Sequence, residues 1–188
     1  MKVHHIVRSL RWLALVPALL LPLSARGQLT ASGTINATLI NKNGIALVFD
    51  PDPSGVTLGG AGSSAASLNL GTIAAYGTLS PGVTLTNVGT SSFTVQTYFD
   101  VEVIEGGLTS TSYTLSAKLA AAAPTGLSYV VDGVTLTTAA KHIQTNGTYN
   151  TNVQHILSLV VSTAAPGAGG PTVGSPLTTT LDFTATSN

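Results

Sequence analysis

Residues 29–39 alternate strictly between two kinds of side chain. Every even position is Thr, Ser or Asn, and the odd positions carry small or branched apolar residues, namely Leu29, Ala31, Gly33, Ile35, Ala37 and Leu39. Because successive side chains of a β-strand point to opposite faces, this period of two predicts a strand with one apolar and one polar face. The apolar face can fill a groove in the strand's own domain or in a neighbouring molecule.

The same alternation returns at three places further along the chain. In residues 93–103 the odd positions are apolar except Thr97, and residues 113–119 follow the same rule. The last such segment, residues 177–186, has its apolar positions at Leu177, Leu181, Phe183 and Ala185. The chain therefore begins and ends with half-buried strands.

A pair of glycines, Gly106 and Gly107, separates the first two of those later segments. Such a pair permits a chain reversal, so we expect residues 93–103 and 113–119 to form one long antiparallel hairpin. In that arrangement Asp100 or Glu102 lies opposite Lys118 on the wet face.

Shorter segments complete the pattern of strands. Residues 45–49 are a continuous apolar run, which predicts a fully buried strand, and residues 155–161 have apolar side chains on both faces, which suits a central strand. Asp132-Gly133 favours a tight type I′ hairpin, whereas residues 59–66 are rich in Gly and Ser and are expected to be a flexible link. Further short strands are expected at residues 67–71 and 83–88. Many short strands without a convincing helix predict a single all-β antiparallel sandwich.

Residues 1–27 have the pattern of a cleaved secretory signal. A positive start is followed by a short apolar run and then by small residues, with cleavage expected after Gly27 or after Ala25. We therefore expect an exported protein in which residues 28–40 form an N-terminal extension and residues 41–188 form the β-sandwich domain.

Charge is scarce once that segment is set aside. Four of the seven basic residues precede Gln28, so the remaining chain has three lysines against seven carboxylates, and it has no cysteine. A nucleic-acid footprint and a polybasic membrane patch both need clustered cations, so these activities are excluded. Weak self-repulsion favours association, and stability without disulfides must come from burial, pairing or assembly.

Candidate catalytic and metal-binding residues are few. His142 and His155 fall in separate segments, and zinc needs further ligands that the absent cysteines cannot supply. Asp100, Glu102 and Glu105 belong to one predicted strand and suit a solvated face better than a carboxylate pair in a cleft. No Gly-x-Ser-x-Gly motif marks a serine nucleophile. We therefore expect no enzymatic activity and no cofactor.

Asp50 and Asp52 are two acidic residues in an Asp-Pro-Asp-Pro segment. Two carboxylates this close can bind calcium, but the loop offers no third and fourth oxygen ligand at the usual spacing. Asp and Pro are ordinary turn formers, so a turn is the favoured interpretation.

The order of these features resembles that of a chaperone–usher pilin. The shared features are a secretory signal, an alternating extension with Gly33 in its middle, an all-β body and an alternating last strand. The resemblance implies an immunoglobulin-like body that lacks one strand, with the N-terminal extension of the next subunit filling the groove beside the C-terminal strand. It also implies that Gly33 lies where the groove is shallow.

The same resemblance implies partners and a location. The subunit would pass transiently through the periplasm, engage a periplasmic chaperone and an outer-membrane usher, and polymerise with copies of itself into an extracellular filament. Strand addition of this kind takes its affinity from main-chain hydrogen bonds and its specificity from pockets for alternate side chains.

Two other functions stay open on the residues alone. In a self-contained secreted sandwich, an adhesin or carbohydrate-binding module, the same N-terminal strand pairs within its own sheet. Sugar sites usually stack aromatic rings, and the five tyrosines show no clustering in sequence, which disfavours a lectin. A secreted hydrolase is the third possibility.

Overall fold

A computed structural model describes residues 29–38, 44–163 and 176–188 of the chain. Within these residues all regular structure is β-strand, in twelve segments. Numbered in chain order, they are β1 (Leu29–Thr38), β2 (Ile45–Asp50), β3 (Leu58–Gly59), β4 (Ala65–Ile73), β5 (Thr84–Val88), β6 (Ser92–Glu105), β7 (Tyr113–Leu119), β8 (Leu127–Val131), β9 (Val134–Thr135), β10 (Lys141–Gly147), β11 (Asn152–Ser162) and β12 (Pro176–Ser187). The predicted signal and Leu39 lie outside the described residues.

The strands form two sheets that pack face to face, which confirms the predicted all-β sandwich. Sheet I has the order β10-β7-β12-β1-β4-β3. Sheet II has the order β2-β6-β11-β8-β9, and β5 pairs with the first part of β6, residues 93–96. All pairings between named strands are antiparallel except the one between β1 and β12, so the first and last strands of the chain lie side by side.

The core between the sheets is built from the apolar positions of the alternating strands. Phe183 of sheet I packs edge-on against Phe49 and Phe99 of sheet II, with ring centroids 5.4 and 5.8 Å away. The tilted edge-to-face arrangement is the one that aromatic quadrupoles favour. These three rings anchor the two sheets to each other.

Thr97 is the polar exception among the core-facing positions of β6, and its burial has a specific cause. Its side chain is fully buried, its hydroxyl donates to the carbonyl oxygen of Gly82 at 2.8 Å, and it accepts from the amide of Val56 at 3.0 Å. A buried hydroxyl with both partners costs little, and here it fastens two loops to the inside of sheet II.

The predicted hairpin between residues 93–103 and 113–119 is wrong. β6 belongs to sheet II and β7 to sheet I, so the glycine pair lies in a connection that crosses between sheets. β6 has its edges taken by β11 on one side and by β2 and β5 on the other. Lys118 consequently lies opposite Asp182 of β12, not opposite Asp100 or Glu102.

Of the other local predictions, some are confirmed and some are wrong. The Asp132-Gly133 hairpin is confirmed, since both residues have the positive φ of a type I′ turn, 49° and 81°. The central position of β11 is also confirmed, because it lies between β6 and β8. The flexible link predicted at residues 59–66 is partly wrong, because β3 and β4 include its two ends. The fully buried strand predicted at residues 45–49 is wrong, because β2 alternates between buried and half-buried positions, with one face toward the core and the other away from it.

Candidate functional site

The N-terminal strand β1 is an inner strand of sheet I. It runs parallel to β12 over nine register pairs, from Thr30 opposite Pro176 to Thr38 opposite Thr184. On its other side it runs antiparallel to β4, with one irregularity between Ala31 and Ser32. The first strand of the described chain therefore lies within a sheet, where its backbone pairs on both sides.

The alternation of β1 follows the two faces of the sheet. Ala31 is 3% exposed and Ile35 is 1% exposed, and Ala37 is partly buried against the core. Thr30 and Thr34, at even positions, are exposed. Odd positions thus face sheet II and even positions face water, as expected of a half-buried strand.

The C-terminal strand supplies one wall of the groove in which β1 lies. In the register, Ala31, Ile35 and Ala37 are opposite residues of β12 that are themselves core residues, and the apolar residues of β12 are all buried, namely Leu177, Leu181, Phe183 and Ala185. The buried apolar side chains of β1 and β12 therefore belong to the main hydrophobic core.

Gly33 lies over a small space in the core. A cavity of about 20 Å³ lies between the two sheets at this point, and its lining is almost wholly apolar, comprising Ala31, Ser32, Gly33, Leu68, Leu70, Tyr129, Leu157, Leu159, Thr179 and Leu181. A Cβ atom placed on Gly33 would lie 3.7 Å from the carbonyl oxygen of Thr179 and 3.9 Å from its Cγ2, which are ordinary contacts. The groove is therefore not shallow at Gly33, contrary to what the resemblance implied.

Tyr129 of sheet II is a part of the groove floor that sequence reasoning did not single out. Burial raises the pKa of its phenol, and a hydrogen bond to Thr179 of β12 opposes that rise. This bond joins the floor of the groove to its wall. The alternation of β8 indicates that Tyr129 is buried, together with Leu127 and Val131. The pattern of a single strand does not reveal which strand of the other sheet its buried side chains face.

The groove can hold one extended strand and little else. Without β1, the facing edges of β12 and β4 would carry unpaired backbone groups above an apolar floor, and such edges recruit strands. A strand of this length makes hydrogen bonds worth roughly 1 kcal/mol each, in addition to the burial of its apolar face. The fit of β1 in this groove depends on its alternation, which directs its apolar side chains to the core and its polar ones to water.

A second group of polar side chains lies on sheet II. Asp100 is opposite Asp50 of β2 and opposite Gln154 of β11, and Gln154 donates to a carboxylate oxygen of Asp52 at 2.5 Å. Burial, followed by the charges of Asp52 and Asp50 and a hydrogen bond to Asp52, raises the pKa of Asp100. The described residues contain no group of three or more His, Cys, Asp or Glu side chains placed to hold a metal ion.

The two histidines singled out as possible ligands are on different sheets. His155 is 1% exposed in β11, and its Nδ1 is 2.5 Å from the carboxylate of Asp132, which also accepts from the amide of Ile156. His142 lies on β10, where its Nδ1 is 3.0 Å from the hydroxyl of Ser116. The Asp132 contacts fasten the β8–β9 turn to β11, which is a structural task.

Comparison with known proteins adds no family to this geometry. No protein-family model and no curated protein matches the chain. No helix within residues 29–38, 44–163 and 176–188 is long and apolar enough to cross a membrane.

Proposed function

We propose that the protein is a structural subunit of an extracellular filament, in which β1 of one subunit fills the groove of the next. The observation that carries the proposal is the position of β1, an N-terminal strand held inside a sheet between β12 and β4. A terminal strand leaves a sheet without threading through the fold, because it is tethered at one end only. Removal of the predicted signal would leave β1 at the very start of the exported chain.

Such an exchange would require a change in the connection between β1 and β2. Only residues 39–44 separate the two strands, and the sequence of this segment contains the turn formers Asn41 and Asn43. In the exchange, β1 would leave the groove of its own chain and enter the groove of a neighbour. Exchange of an identical element between subunits is an inexpensive route to assembly, and repetition in one direction gives a fibre.

The scarcity of charged residues also supports assembly from copies of the chain. Between Asp52 and Asp100 the sequence contains no charged residue, so a large part of the surface offers little repulsion between copies. In this proposal the protein is exported, passes through the periplasm and acts on the cell surface. A chaperone would hold the open groove, and an usher would order the exchange.

A self-contained secreted sandwich, acting as an adhesin or carbohydrate-binding module, is the second candidate. One observation favours it, since β1 of a single chain completes its own sheet over its full described length. In this alternative β1 never leaves, and function lies in a surface.

The stability of native assemblies separates the two candidates. An inserted strand leaves only when its groove opens, so we expect dissociation to be slow as well as unfavourable. Material from the cell surface should run in detergent at room temperature as a ladder of multimers and should collapse to the monomer band after strong heating. A single monomer band before and after heating would favour the binding module.

A further inference from the structure

Two asparagines of the described chain share an unusual backbone conformation. Asn146 and Asn150 both have a φ of 56°, in the left-handed region that asparagine tolerates better than most residues. Both are exposed, one near the end of β10 and the other in the short connection to β11. They differ in the residue that follows and in the contacts of the side chain, so each is a reference for the other.

The residue after each asparagine decides how easily its side chain reacts with its own main chain. An exposed asparagine loses ammonia when the main-chain nitrogen of the next residue attacks the side-chain carbonyl carbon. Asn146 is followed by Gly147, which has no Cβ to obstruct that approach. Asn150 is followed by Thr151, whose branched Cβ crowds it. The sequence therefore favours the reaction at Asn146.

The side chain of Asn150 is also held in place more firmly than that of Asn146. The Oδ1 of Asn150 accepts from the amide of Glu105, the last residue of β6, at 3.1 Å. The Oδ1 of Asn146 accepts from the side-chain amide of Asn188 at 3.4 Å, and that same amide donates to the hydroxyl of Ser112 at 2.9 Å. A contact of 3.4 Å is longer than an ordinary hydrogen bond, so the side chain of Asn146 turns more easily toward its own main chain.

The main chain around Asn146 is irregular. In the pairing of β10 with β7, Gln144 lies opposite Leu115 and Gly147 lies opposite Tyr113, so two intervening residues of β10 face one of β7. Such a bulge leaves the extra residue outside the ladder of hydrogen bonds. β10 is moreover an outer strand of sheet I. Rotation of the chain at Asn146 therefore disturbs little of the pairing.

We propose that Asn146 is a site of spontaneous covalent modification, converted to aspartate and isoaspartate through a cyclic imide with Gly147. The main-chain nitrogen of Gly147 bonds to Cγ of Asn146 and gives up its proton, while the Cγ–Nδ2 bond breaks and Nδ2 leaves as ammonia. Water then opens the imide at one of its two carbonyl groups and produces a carboxylate. Water is the only co-reactant, and nothing is oxidised or reduced. The proposal does not depend on strand exchange.

The isoaspartate product changes the core as well as the surface charge. Its main chain runs through the side-chain carbon, so it is one methylene longer between positions 146 and 147. Gly147 is buried against the ring of Tyr113, where even an added Cβ would clash, and Tyr113 is 0% exposed. The longer main chain displaces Gly147 from this ring and lowers the stability of the fold.

The test is an ageing experiment on the whole exported chain, kept in mildly alkaline buffer with and without urea. Peptide mapping by mass spectrometry measures aspartate and isoaspartate at positions 146 and 150 over time. We expect Asn146 of the folded chain to be converted at least about tenfold faster than Asn150. One hydrogen bond of about 1 kcal/mol accounts for about fivefold, and crowding by Thr151 adds to it. The aged folded chain should also melt at a lower temperature than fresh protein.

Two variants separate the causes. Thr151→Gly gives Asn150 the same following residue as Asn146, but the amide of Glu105 still holds its side chain. We expect Asn150 of this variant to remain about fivefold slower than Asn146. Asn146→Gln requires a larger ring, so it should abolish the modification at this position and the loss of melting temperature on ageing. This variant also separates the effect from that of Asn43-Gly44, the second Asn-Gly sequence of the chain.

Three outcomes would overturn the proposal or a part of it. Asn146 that stays intact in the folded chain but reacts in urea would show that the fold protects it, and the proposed site would be wrong. Equal conversion of Asn146 and Asn150 in the unsubstituted chain would have the same meaning. Equal rates in Thr151→Gly would remove the role given to the side-chain hydrogen bond.

Discussion

Asp100 lies in a cluster of carboxyl groups, although the protein as a whole has few charged residues. Its carboxyl group meets those of Asp50 and Asp52, and its Oδ1 atom is buried without a hydrogen-bond partner. In this part of sheet II the imidazole of His155 also contacts the carboxylate of Asp132. A proton on Asp100 relieves the repulsion, because a hydrogen bond between two carboxyl groups needs one of them protonated.

We expect this residue to make the fold more stable in mild acid than at neutral pH. The folded-state pKa of Asp100 is raised above 3.8, so between that value and the raised pKa the folded chain binds more protons than the unfolded chain. The free energy of unfolding therefore falls as pH rises through this window, and the full cost persists above it. Asp100→Asn should flatten the pH dependence of urea unfolding and raise stability at neutral pH.

The control for this measurement is Asp182→Asn, on the other sheet opposite Lys118. It should leave the slope of the pH dependence unchanged. A slope that persists in Asp100→Asn would show that another group is responsible.

Ile35 tests whether the apolar face of β1 holds the strand in a groove. Its side chain is 1% exposed, so Ile35→Asp would bury a charge among apolar side chains at a cost of several kcal/mol. We expect loss of the multimer ladder and a lower melting temperature of the single chain. Thr34→Asp places the same charge on the exposed face one residue away, so it should change the multimer ladder and the melting temperature by much less.

Equal damage from the two substitutions would contradict the alternation of β1. Loss of the ladder in both variants with unchanged melting temperatures would place the contact between subunits outside the groove.

β1 as an element is expected to be indispensable to the isolated chain. Protein lacking residues 28–40 would have an open groove between β12 and β4, with unpaired backbone groups above exposed leucines. We expect it to be poorly folded, as measured by the loss of a cooperative thermal transition. A peptide of residues 29–39 added during refolding should restore that transition.

The same peptide with Ile35→Asp is the matched control and should not restore it. A soluble monomer that melts cooperatively without residues 28–40 would count strongly against the filament function.

The positions of single strands could be predicted from the sequence, but the pairing of one strand with another could not. The alternation of residues 93–103 and 113–119 depends on which face is buried, and burial is encoded locally by side-chain type. The pairing of β6 with β11 depends on which edges remain free after the whole chain has folded, and two glycines are equally suited to a hairpin and to a crossing between sheets. The Asp132-Gly133 turn was predictable because the two residues themselves dictate the geometry.

At the scale of the molecule, the sandwich followed from the number and period of the strands, but the groove did not. The cavity beneath Gly33 is bounded by residues from β4, β8, β11 and β12, which are far apart in sequence. The meeting of Asp50, Asp52 and Asp100 has the same origin. Residues that are far apart in sequence and meet only through long-range packing leave no local sequence pattern, so such sites can be identified only from the folded structure.

The parallel pairing of β1 with β12 also decides how the protein responds to mechanical tension. The start of β1 lies beside the start of β12, so the two outer ends of the chain point away from opposite ends of this pair. A pull on both ends slides the strands along each other and loads the hydrogen bonds between them at the same time, whereas an antiparallel pair pulled from one end would open bond by bond. Resistance to such a pull is set by the rate of forced unfolding. The joint between the first and last strands of a single chain is therefore loaded in shear when its two ends are pulled apart.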